Sequence, residues 1–257
     1  MLVVYLLTGI YGLCVGSFLN VVIYRLPRGM NLAKPGSHCT TCDYELKWYD
    51  NIPVVSYVML GGKCRKCHTH ISFRYTAVEL LNMGFWLLAA WQFWAASPVY
   101  AMAVMLACSL LLCIAFIDLE TMYIHDILVI LLAVPVVMAA LSGFGVSIWE
   151  RLIGLAVGGG GFGLVYLLAK LVLKREGLGL GDVLLMAAVG AFLGWRATLF
   201  AVLVGSLLGT LILIPLRFVQ TKQQKEFPFA PFLVAGALAA SFLAEPVLAW
   251  YLNLFAI

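Results

Sequence analysis

Two aspartates stand where apolar runs end, and residues of this type can hydrolyse an amide bond without a nucleophilic side chain. Asp118 follows the run LLCIAFI, and Asp182 closes GLGLGD just before another apolar run. Two carboxyl groups held close together cannot both ionise cheaply, so one keeps a proton and polarises a carbonyl while the other activates water. We therefore take both aspartates as candidate catalytic residues that titrate as a pair.

Each aspartate also has a structural interpretation that stays open. Asp182 suits a helix N-cap, because its carboxylate accepts free backbone N–H groups and favours the helix dipole. Asp118 has the alternative of a surface residue that ends a membrane span. Glycines precede Asp182 at alternate positions, namely Gly177, Gly179 and Gly181. They suit a backbone that approaches a substrate closely or adopts a positive φ.

Four cysteines form two CxxC pairs that are separated by residues 43–63. They are Cys39, Cys42, Cys64 and Cys67. This spacing is close to that of four-thiolate zinc ribbons and knuckles, in which each pair supplies two sulfurs from one tight turn. A redox role is the alternative, although that would better suit one CxxC opening a helix. We predict a closed, structural zinc site.

Three histidines lie beside these cysteines and could replace a sulfur. His38 precedes Cys39, while His68 and His70 follow Cys67. Four thiolates already suffice for a tetrahedral site, so we expect none of the histidines to be needed.

The composition predicts a protein whose solvent is mainly lipid. Hydrophobic residues make up 64% of the 257 positions and charged residues 11%, and the mean hydropathy is +1.03. A spanning helix needs about 20 apolar residues. The sequence predicts an all-α polytopic membrane protein with about eight spans and a small polar lobe between the first and second. The predicted spans cover 3–23, 76–96, 99–117, 127–142, 152–172, 183–195, 197–216 and 231–250.

The positions of the basic residues predict on which side of the membrane each loop lies. With the N-terminus outside, the loops inside the cell cover 24–75, 118–126, 173–182 and 217–230. Every Lys and Arg except Arg151 and Arg196 falls in those loops or at their edges, as the positive-inside rule requires. Topology explains the net charge of +4, so we predict no nucleic-acid partner. Both aspartates then lie at the cytoplasmic edge.

Several segments, in this order, resemble the type IV prepilin peptidases, a branch of the GxGD membrane aspartyl proteases. The segments are GSFLNVVIYRLP from Gly16, the two CxxC pairs, ISFRYTAVELL from Ile71, FIDLETMYIHD from Phe116, GLGLGDVLLMAAVGAFLGW ending at Trp195, and PFAPFLVAGA from Pro228. The resemblance covers nearly the whole chain.

The resemblance implies that Asp118 and Asp182 are the catalytic pair of an enzyme of the bacterial inner membrane. It implies cleavage of leader peptides from type IV prepilins or pseudopilins at the cytoplasmic face, within membrane lipid. It also implies N-methylation of the new N-terminal residue by S-adenosylmethionine. The domains expected are a first transmembrane helix over 1–24, a zinc-binding lobe with the methyltransferase part over 25–75, and the peptidase over 76–257.

The methyl-donor site is not marked by a recognisable nucleotide-binding loop. Glu79 is a candidate cofactor-binding residue, with a salt bridge to Arg74 or Arg25 as the alternative. Asp126 directly precedes a predicted span, and we interpret it as a helix N-cap.

The sequence departs from the family pattern at four positions. His125 and Thr76 stand where proline is usual, Leu184 where a lysine often follows the GD pair, and Ala230 where glycine is usual. The missing lysine removes a neighbouring ammonium that would tune Asp182.

Two rival functions belong to other classes. A transporter could use paired aspartates to carry protons or cations, but its inverted repeats are absent from the sequence. A non-enzymatic assembly factor with a zinc lobe would work equally well with asparagine at both positions. The glycine run 158–161 predicts close helix packing rather than a site.

Overall fold

The computed structural model describes residues 1–173, 179–219 and 227–255, and it divides into two compact units. The first unit is Met1–Trp91 and the second is Gln92–Ile257. The predicted domain boundaries at residues 24 and 75 stay a prediction. Several predicted features lie outside the described residues, namely Gly177, Lys174, Arg175, Lys222 and Lys225.

The first unit consists of two long helices and the lobe between them. Its helices are α1 (Leu2–Arg25), the short α2 (Val55–Met59) and α3 (Phe73–Phe93), with 3-10 turns at Leu26–Arg28 and Trp48–Asp50. The lobe lies between α1 and α3, as the sequence predicts, and contains isolated β-bridges rather than strands among the described residues.

Small residues let α1 approach α3 closely. A Cβ at Gly16 would lie 2.7 Å from the Cα of Glu79, and Asn82 Nδ2 donates to the carbonyl of Gly12 at 2.7 Å. Asn20 Nδ2 donates to the carbonyl of Tyr75 at 2.9 Å. Because buried polar groups require partners, these bonds hold the two helices in register.

The second unit is a bundle of apolar helices. Its helices are α4 (Pro98–Thr121), α5 (Asp126–Leu131), α6 (Ala133–Leu141), α7 (Ile148–Leu155), α8 (Gly161–Leu168), α9 (Leu180–Leu193), α10 (Trp195–Val219) and α11 (Ala230–Phe255). The π-helical turn Ala156–Gly160 joins α7 to α8, and a second one, Ala169–Leu173, follows α8. Most of α4 is buried, so this helix forms the centre of the bundle.

Glycines set the tight packing around α9 and α11. A methyl group at Gly154 would overlap the carbonyl of Gly190, and one at Gly236 would overlap the carbonyl of Ala201. The run 158–161 packs closely at two positions only, because Gly158 and Gly159 approach α9 whereas Gly160 and Gly161 have open space. The packing predicted for this run is therefore confirmed for its first half.

Five helices among the described residues are long and apolar enough to cross a membrane. They cover Leu2–Arg28, Pro98–Thr121, Ile148–Val172, Trp195–Pro215 and Ala230–Leu254. Asp126–Leu141 and Leu180–Leu193 are shorter apolar helices. The all-α, multi-pass membrane prediction is confirmed, while the count of eight spans stays a prediction.

Candidate active site and metal centre

Asp118 lies one turn before the end of α4. The helix ends where Met122 adopts a left-handed conformation at φ 53° and its N–H bonds to the carbonyl of Asp118 at 2.8 Å. The Asp118 residue is only 5% exposed. Asp118 therefore packs among other helices at the end of α4, and whether it also marks the membrane surface stays a prediction.

Asp182 is the third residue of α9. Its Oδ2 accepts a hydrogen bond from the N–H of Gly179, which is the N-cap residue, at 3.1 Å. Asp182 therefore does help to cap the helix. It does so from the first turn of α9 rather than as the N-cap residue. Asp182 is also buried, at 9% exposure, so a carboxyl enters the bundle at the start of this short apolar helix.

A close approach at Gly181 fixes the segment after α4 against the first turn of α9. A Cβ at Gly181 would lie 2.9 Å from the Cβ of Ile124, so a larger residue would push α9 away. Gly179 is extended, at φ −76°, so of the two properties suggested for these glycines a positive φ is not the one that it shows. Asp118 and Asp182 approach closely enough to interact electrostatically.

A third element reaches this site at the start of α11. The backbone N–H of Ala230 lies beside the Asp118 carboxyl. The first N–H groups of a helix have no partner within the helix, and an anion is their natural acceptor. Sequence reasoning missed this contact, although the PFAP segment before an apolar run marks the helix start. The departure from glycine at Ala230 leaves the backbone donor intact.

One oxygen of the Asp118 carboxyl has no hydrogen-bond partner in the described part of the chain. Its Oδ2 is buried and has no hydrogen-bond partner within residues 1–173, 179–219 and 227–255. Buried acceptors are almost always paired, and those that are not often hold a water or a ligand. An unpaired carboxylate oxygen beside a second carboxyl is what water activation requires.

Asp126 does not join the pair. It is exposed and is the first residue of α5, for which His125 is the N-cap residue. The prediction that Asp126 is the N-cap residue is therefore wrong by one position. Asp126 still places a negative charge in the first helical turn, where the helix dipole favours it.

In the other unit, the four cysteine sulfurs form one compact group. The Sγ atoms of Cys39 and Cys67 are 3.7 Å apart, those of Cys42 and Cys64 are 4.0 Å apart, and all four lie within 4.8 Å of one another. A tetrahedral zinc site with Zn–S bonds of about 2.3 Å has sulfurs about 3.8 Å apart. The sulfurs are too distant for disulfides and well spaced for a metal.

The two CxxC turns have the same local structure. Cys39 N–H bonds to the carbonyl of Tyr44, and Cys64 N–H bonds to the carbonyl of Thr69, each at 2.9 Å. The residue after each second cysteine is left-handed, Asp43 at φ 53° and His68 at φ 57°. His68 is therefore a turn residue, and the cluster of candidate ligands found in the described part of the chain contains no histidine.

The cysteine thiols of this cluster differ in their pKa values. Hydrogen bonding to the Thr69 side chain and then its backbone N–H lowers the pKa of Cys67 to about 6. A backbone hydrogen bond from Tyr44 lowers the pKa of Cys42, but burial and the three neighbouring sulfurs outweigh it and raise the pKa to about 12. Four sulfurs this close cannot all ionise without a cation, and a divalent metal supplies one.

A buried carboxylate joins the two cysteine turns. Asp50 accepts from Arg65 Nε at 2.7 Å and from the Tyr44 hydroxyl at 3.1 Å. Burial alone would raise the pKa of Asp50, but the hydrogen bonds from Arg65, Tyr44 and the Lys47 backbone outweigh it and lower the pKa. Sequence reasoning missed this group, because no spacing relates Asp50 to the cysteines.

Glu79 lies buried in α3, at 8% exposure. Its Oε2 accepts from the N–H of Val54 at 2.8 Å, and the Ser17 side chain hydrogen-bonds to the same carboxyl. Val54 has a positive φ of 62°, which is unfavourable for a β-branched residue. Arg25 is not its partner, since that guanidinium donates to backbone carbonyls, including that of Pro35 at 2.7 Å.

Together these features define a class: a helical membrane protein with two buried carboxyls in its bundle and a lobe whose four clustered cysteines could hold a metal ion. Residues 10–93 match the family described as Bacterial Peptidase A24 N-terminal domain, and residues 105–214 match the Type IV leader peptidase family. No solved structure matches the chain.

Curated relatives support the same assignment. A prepilin leader peptidase/N-methyltransferase of Pseudomonas aeruginosa is 34% identical over 96% of this chain and 93% of its own length. One of Neisseria gonorrhoeae is 34% identical over 90% and 87%. One of Myxococcus xanthus is 40% identical over 80% of this chain, which spans 62% of that relative's length. The chain belongs to the type IV leader peptidase family, as its motifs predicted, and is therefore an enzyme of a protease family. These matches do not favour the transporter alternative.

Proposed function

We propose that this enzyme cleaves leader peptides from type IV prepilins or pseudopilins, using Asp118 and Asp182 as its catalytic pair. The observation that supports the proposal is that the two carboxyls are both buried and near enough to interact electrostatically, and that Oδ2 of Asp118 has no partner among the described residues. Such a pair binds one proton between two groups, because both cannot ionise cheaply at close range.

The chemistry follows from that shared proton. The ionised carboxyl takes a proton from a water molecule as the water oxygen bonds to the scissile carbonyl carbon. The protonated carboxyl donates a hydrogen bond to the carbonyl oxygen and stabilises the negative charge that develops there. When the C–N bond breaks, a carboxyl returns a proton to the leaving amine, so the pair ends with the one proton it began with.

The backbone contacts around the pair limit its motion. The Ala230 N–H lies beside the Asp118 carboxyl, and the Gly179 N–H donates a hydrogen bond to Oδ2 of Asp182. Groups fixed in advance lose little entropy in the transition state. The unpaired Oδ2 of Asp118 is the acceptor suited to the attacking water.

The substrate would present an apolar helix to the lipid and a basic leader to the cytoplasm. The distribution of Lys and Arg supports a cytoplasmic, inner-membrane site. A basic leader is attracted to a site that carries net negative charge. A thiol-reactive, membrane-impermeant label tests the orientation: it should reach an added cysteine at Asp126 only in inverted vesicles, and labelling in intact cells would refute it.

The central test is cleavage of a detergent-solubilised prepilin by the purified enzyme. We expect Asp118→Asn and Asp182→Asn each to lower the rate by about 10³-fold, within the usual range for general acid–base groups. Asp126→Asn is the matched control, because it is an exposed carboxylate near Asp118 in sequence. Cleavage at the wild-type rate by either catalytic variant would remove that aspartate from the mechanism.

Zinc in the four-cysteine cluster and methyl transfer from S-adenosylmethionine complete the proposal. The sulfur spacing supports a tetrahedral thiolate site, for which zinc is the usual metal. When bound, zinc would hold the two CxxC turns together through Cys39, Cys42, Cys64 and Cys67. The relatives from Myxococcus xanthus and Pseudomonas aeruginosa are N-methyltransferases as well as leader peptidases by name, which supports the same activity here.

Glu79 is our candidate for the methyl-transfer site. A buried carboxylate held by a strained backbone N–H resembles the strained geometry that clusters at binding sites. Glu79→Gln should abolish incorporation of labelled methyl groups into cleaved pilin while leaving cleavage intact. Glu45→Gln, an exposed glutamate of the same unit, is the control. Normal methylation by Glu79→Gln would exclude Glu79 from this role.

A further inference from the structure

The polar lobe of the first unit carries an apolar surface that the described residues leave uncovered. Its centre is the short helix α2, on which Val55, Val58 and Met59 stand at i, i+3 and i+4 and so share one face. Val58 is 70% exposed and Met59 81%, whereas the buried residue of this helix is the polar Ser56. A helix on a water-exposed lobe normally turns its apolar face inward. The reversed arrangement marks α2 as a contact surface.

Exposed aromatic residues extend the surface beyond α2. The Ser56 hydroxyl donates to the carbonyl of Tyr49 at 2.9 Å, which fixes the turn that contains Trp48 against the start of the helix. Trp48 is 79% exposed and packs edge-to-face on Tyr49, with ring centroids 5.5 Å apart. The rings of Tyr57 and Phe73 are 6.2 Å apart, and Phe73 is the exposed first residue of α3. We call the exposed residues Trp48, Val55, Val58, Met59 and Phe73 the lobe face.

Positive charge borders the lobe face. Nζ of Lys47 lies 5.8 Å from the centre of the Tyr49 ring, and the Arg65 guanidinium lies 5.2 Å from it. Lys63 is exposed and follows α2 closely, since its N–H bonds to the carbonyl of Leu60 at 3.2 Å. The side chain of Asp50, the acid that pairs with Arg65, is fully buried, whereas that of Arg65 stays 48% exposed. Cations beside an apolar surface match the headgroup region of a bilayer that contains anionic lipid.

The membrane itself lies within reach of this surface. The lobe begins where α1 ends, and α1 is long and apolar enough to cross a membrane. The N–H of Val54, just before α2, donates to Glu79 Oε2 in α3 at 2.8 Å. Together with the contact between Tyr57 and Phe73, this bond places the lobe face at the height at which the predicted span in α3 begins.

Lipid suits the lobe face better than the basic leader of a prepilin, which the same cations would repel. Tryptophan also concentrates at the level of lipid headgroups. We propose that the lobe face binds the surface of the membrane that α1 crosses, with its apolar side chains among the lipid chains and Lys47, Lys63 and Arg65 against anionic headgroups. The lobe would then rest on the bilayer rather than project into water.

Hydroxyl-radical footprinting tests the proposal directly, because indole and thioether side chains are oxidised where water reaches them. The purified enzyme is placed as single copies in nanodiscs of phosphatidylcholine, with or without phosphatidylglycerol, and oxidised peptides are quantified by mass spectrometry. We expect Trp48 and Met59 to be oxidised at least about fivefold more slowly with phosphatidylglycerol, since each cation near an anionic surface adds affinity. His68, exposed and outside the lobe face, should change by less than about twofold. Equal rates for Trp48 and Met59 in the two kinds of disc would overturn the proposal.

Val58 allows a matched pair of variants at one position of the lobe face. Val58→Glu places a negative charge against the lipid and should raise the oxidation rate of Trp48 about fivefold in discs with phosphatidylglycerol. Val58→Leu keeps the surface apolar and should leave that rate within about twofold of wild type. Retained metal content and circular dichroism report that each variant is folded, and the wild-type comparison decides the question even if Val58→Glu fails to fold.

The same measurement distinguishes lipid from other occupants of the lobe face. Protection of Trp48 and Met59 that persists in folded Val58→Glu would overturn the proposal. Protection that appears only when prepilin is added would assign the surface to the substrate instead. Protection that requires two copies of the enzyme in one disc would assign it to self-association, and either result would overturn the lipid assignment.

Discussion

The four-cysteine lobe and the carboxyl pair are built in opposite ways. All four sulfurs come from residues 39–67, and short turns of the same shape position them. The carboxyls come from α4 and α9, residues far apart in the chain, with a backbone donor from α11. A site built from local turns depends on the metal ion that would link those turns. A site built between helices depends on how the helices pack. The two sites should therefore fail under different perturbations.

Removing the metal should have the largest effect, confined to the lobe. Structural zinc contributes about 10 kcal/mol or more in small peptides at neutral pH. A lobe of this size has little core of its own. Chelation or Cys39→Ser should make residues 30–70 rapidly cleavable in limited proteolysis. Helicity measured by circular dichroism should fall by little, because most helices lie elsewhere.

Cys14→Ser is the control for that experiment, since Cys14 is exposed and lies outside the cluster. It should leave both metal content and proteolysis unchanged. If the lobe stayed fully resistant to proteolysis after complete metal loss, the proposed contrast would be wrong, because the cysteine turns would then keep their structure without a metal ion.

Loss of the carboxyl pair should affect cleavage without affecting metal content. If Asp118 and Asp182 act as one unit, the double asparagine variant should be no slower than the slower single variant, at about 10³-fold below wild type. Single-turnover cleavage rates measure this directly. A double variant slower by the product of the two single effects would mean that each carboxyl acts independently.

How much of each site the sequence predicts follows from the same contrast. The four-cysteine cluster could be predicted from the sequence, because the spacing of the two CxxC pairs within one loop limits how their sulfurs can be arranged. For the aspartates, spacing alone left helix capping open, and only the family motifs favoured a catalytic pair. The approach of the Ala230 N–H to Asp118 could not be predicted, because it brings together helix ends that are distant in sequence. Asp50 was missed for a similar reason, since hydrogen-bond partners within a small lobe follow no fixed spacing.

Helix packing offers a perturbation that should spare the lobe. Gly158→Ala places a methyl group against the carbonyl of Met186 in α9, the helix that carries Asp182. Backbone cannot give way as a side chain can, so we expect a destabilisation of about 3 kcal/mol. Prepilin cleavage and thermal unfolding should both decline while zinc content is retained.

Gly160→Ala is the matched control in the same glycine run. Apart from its own helix backbone, no atom lies within 4 Å of a Cβ at Gly160, so the alanine should be neutral or stabilise the helix by about 0.5–1 kcal/mol. Equal losses from both variants would attribute the effect to helix propensity or bending rather than to contact with α9.

The smallest effect we predict concerns Asp50, which joins the two cysteine turns. Asp50→Asn removes the charge that Arg65 Nε and the Tyr44 hydroxyl contact, at a cost of about 1–2 kcal/mol to the lobe. Because folding lowers the pKa of Asp50, its contribution to stability is present above the unfolded pKa of about 3.9 and is lost as pH falls through the folded value.

The rate of metal release to a competing chelator measures the loss caused by Asp50→Asn. At pH 7 the variant should release zinc faster, whereas Asp43→Asn, which changes an exposed aspartate of the same lobe, should not. Equal release rates for wild type and Asp50→Asn would mean that the cysteine turns hold the metal without help from the charge between them.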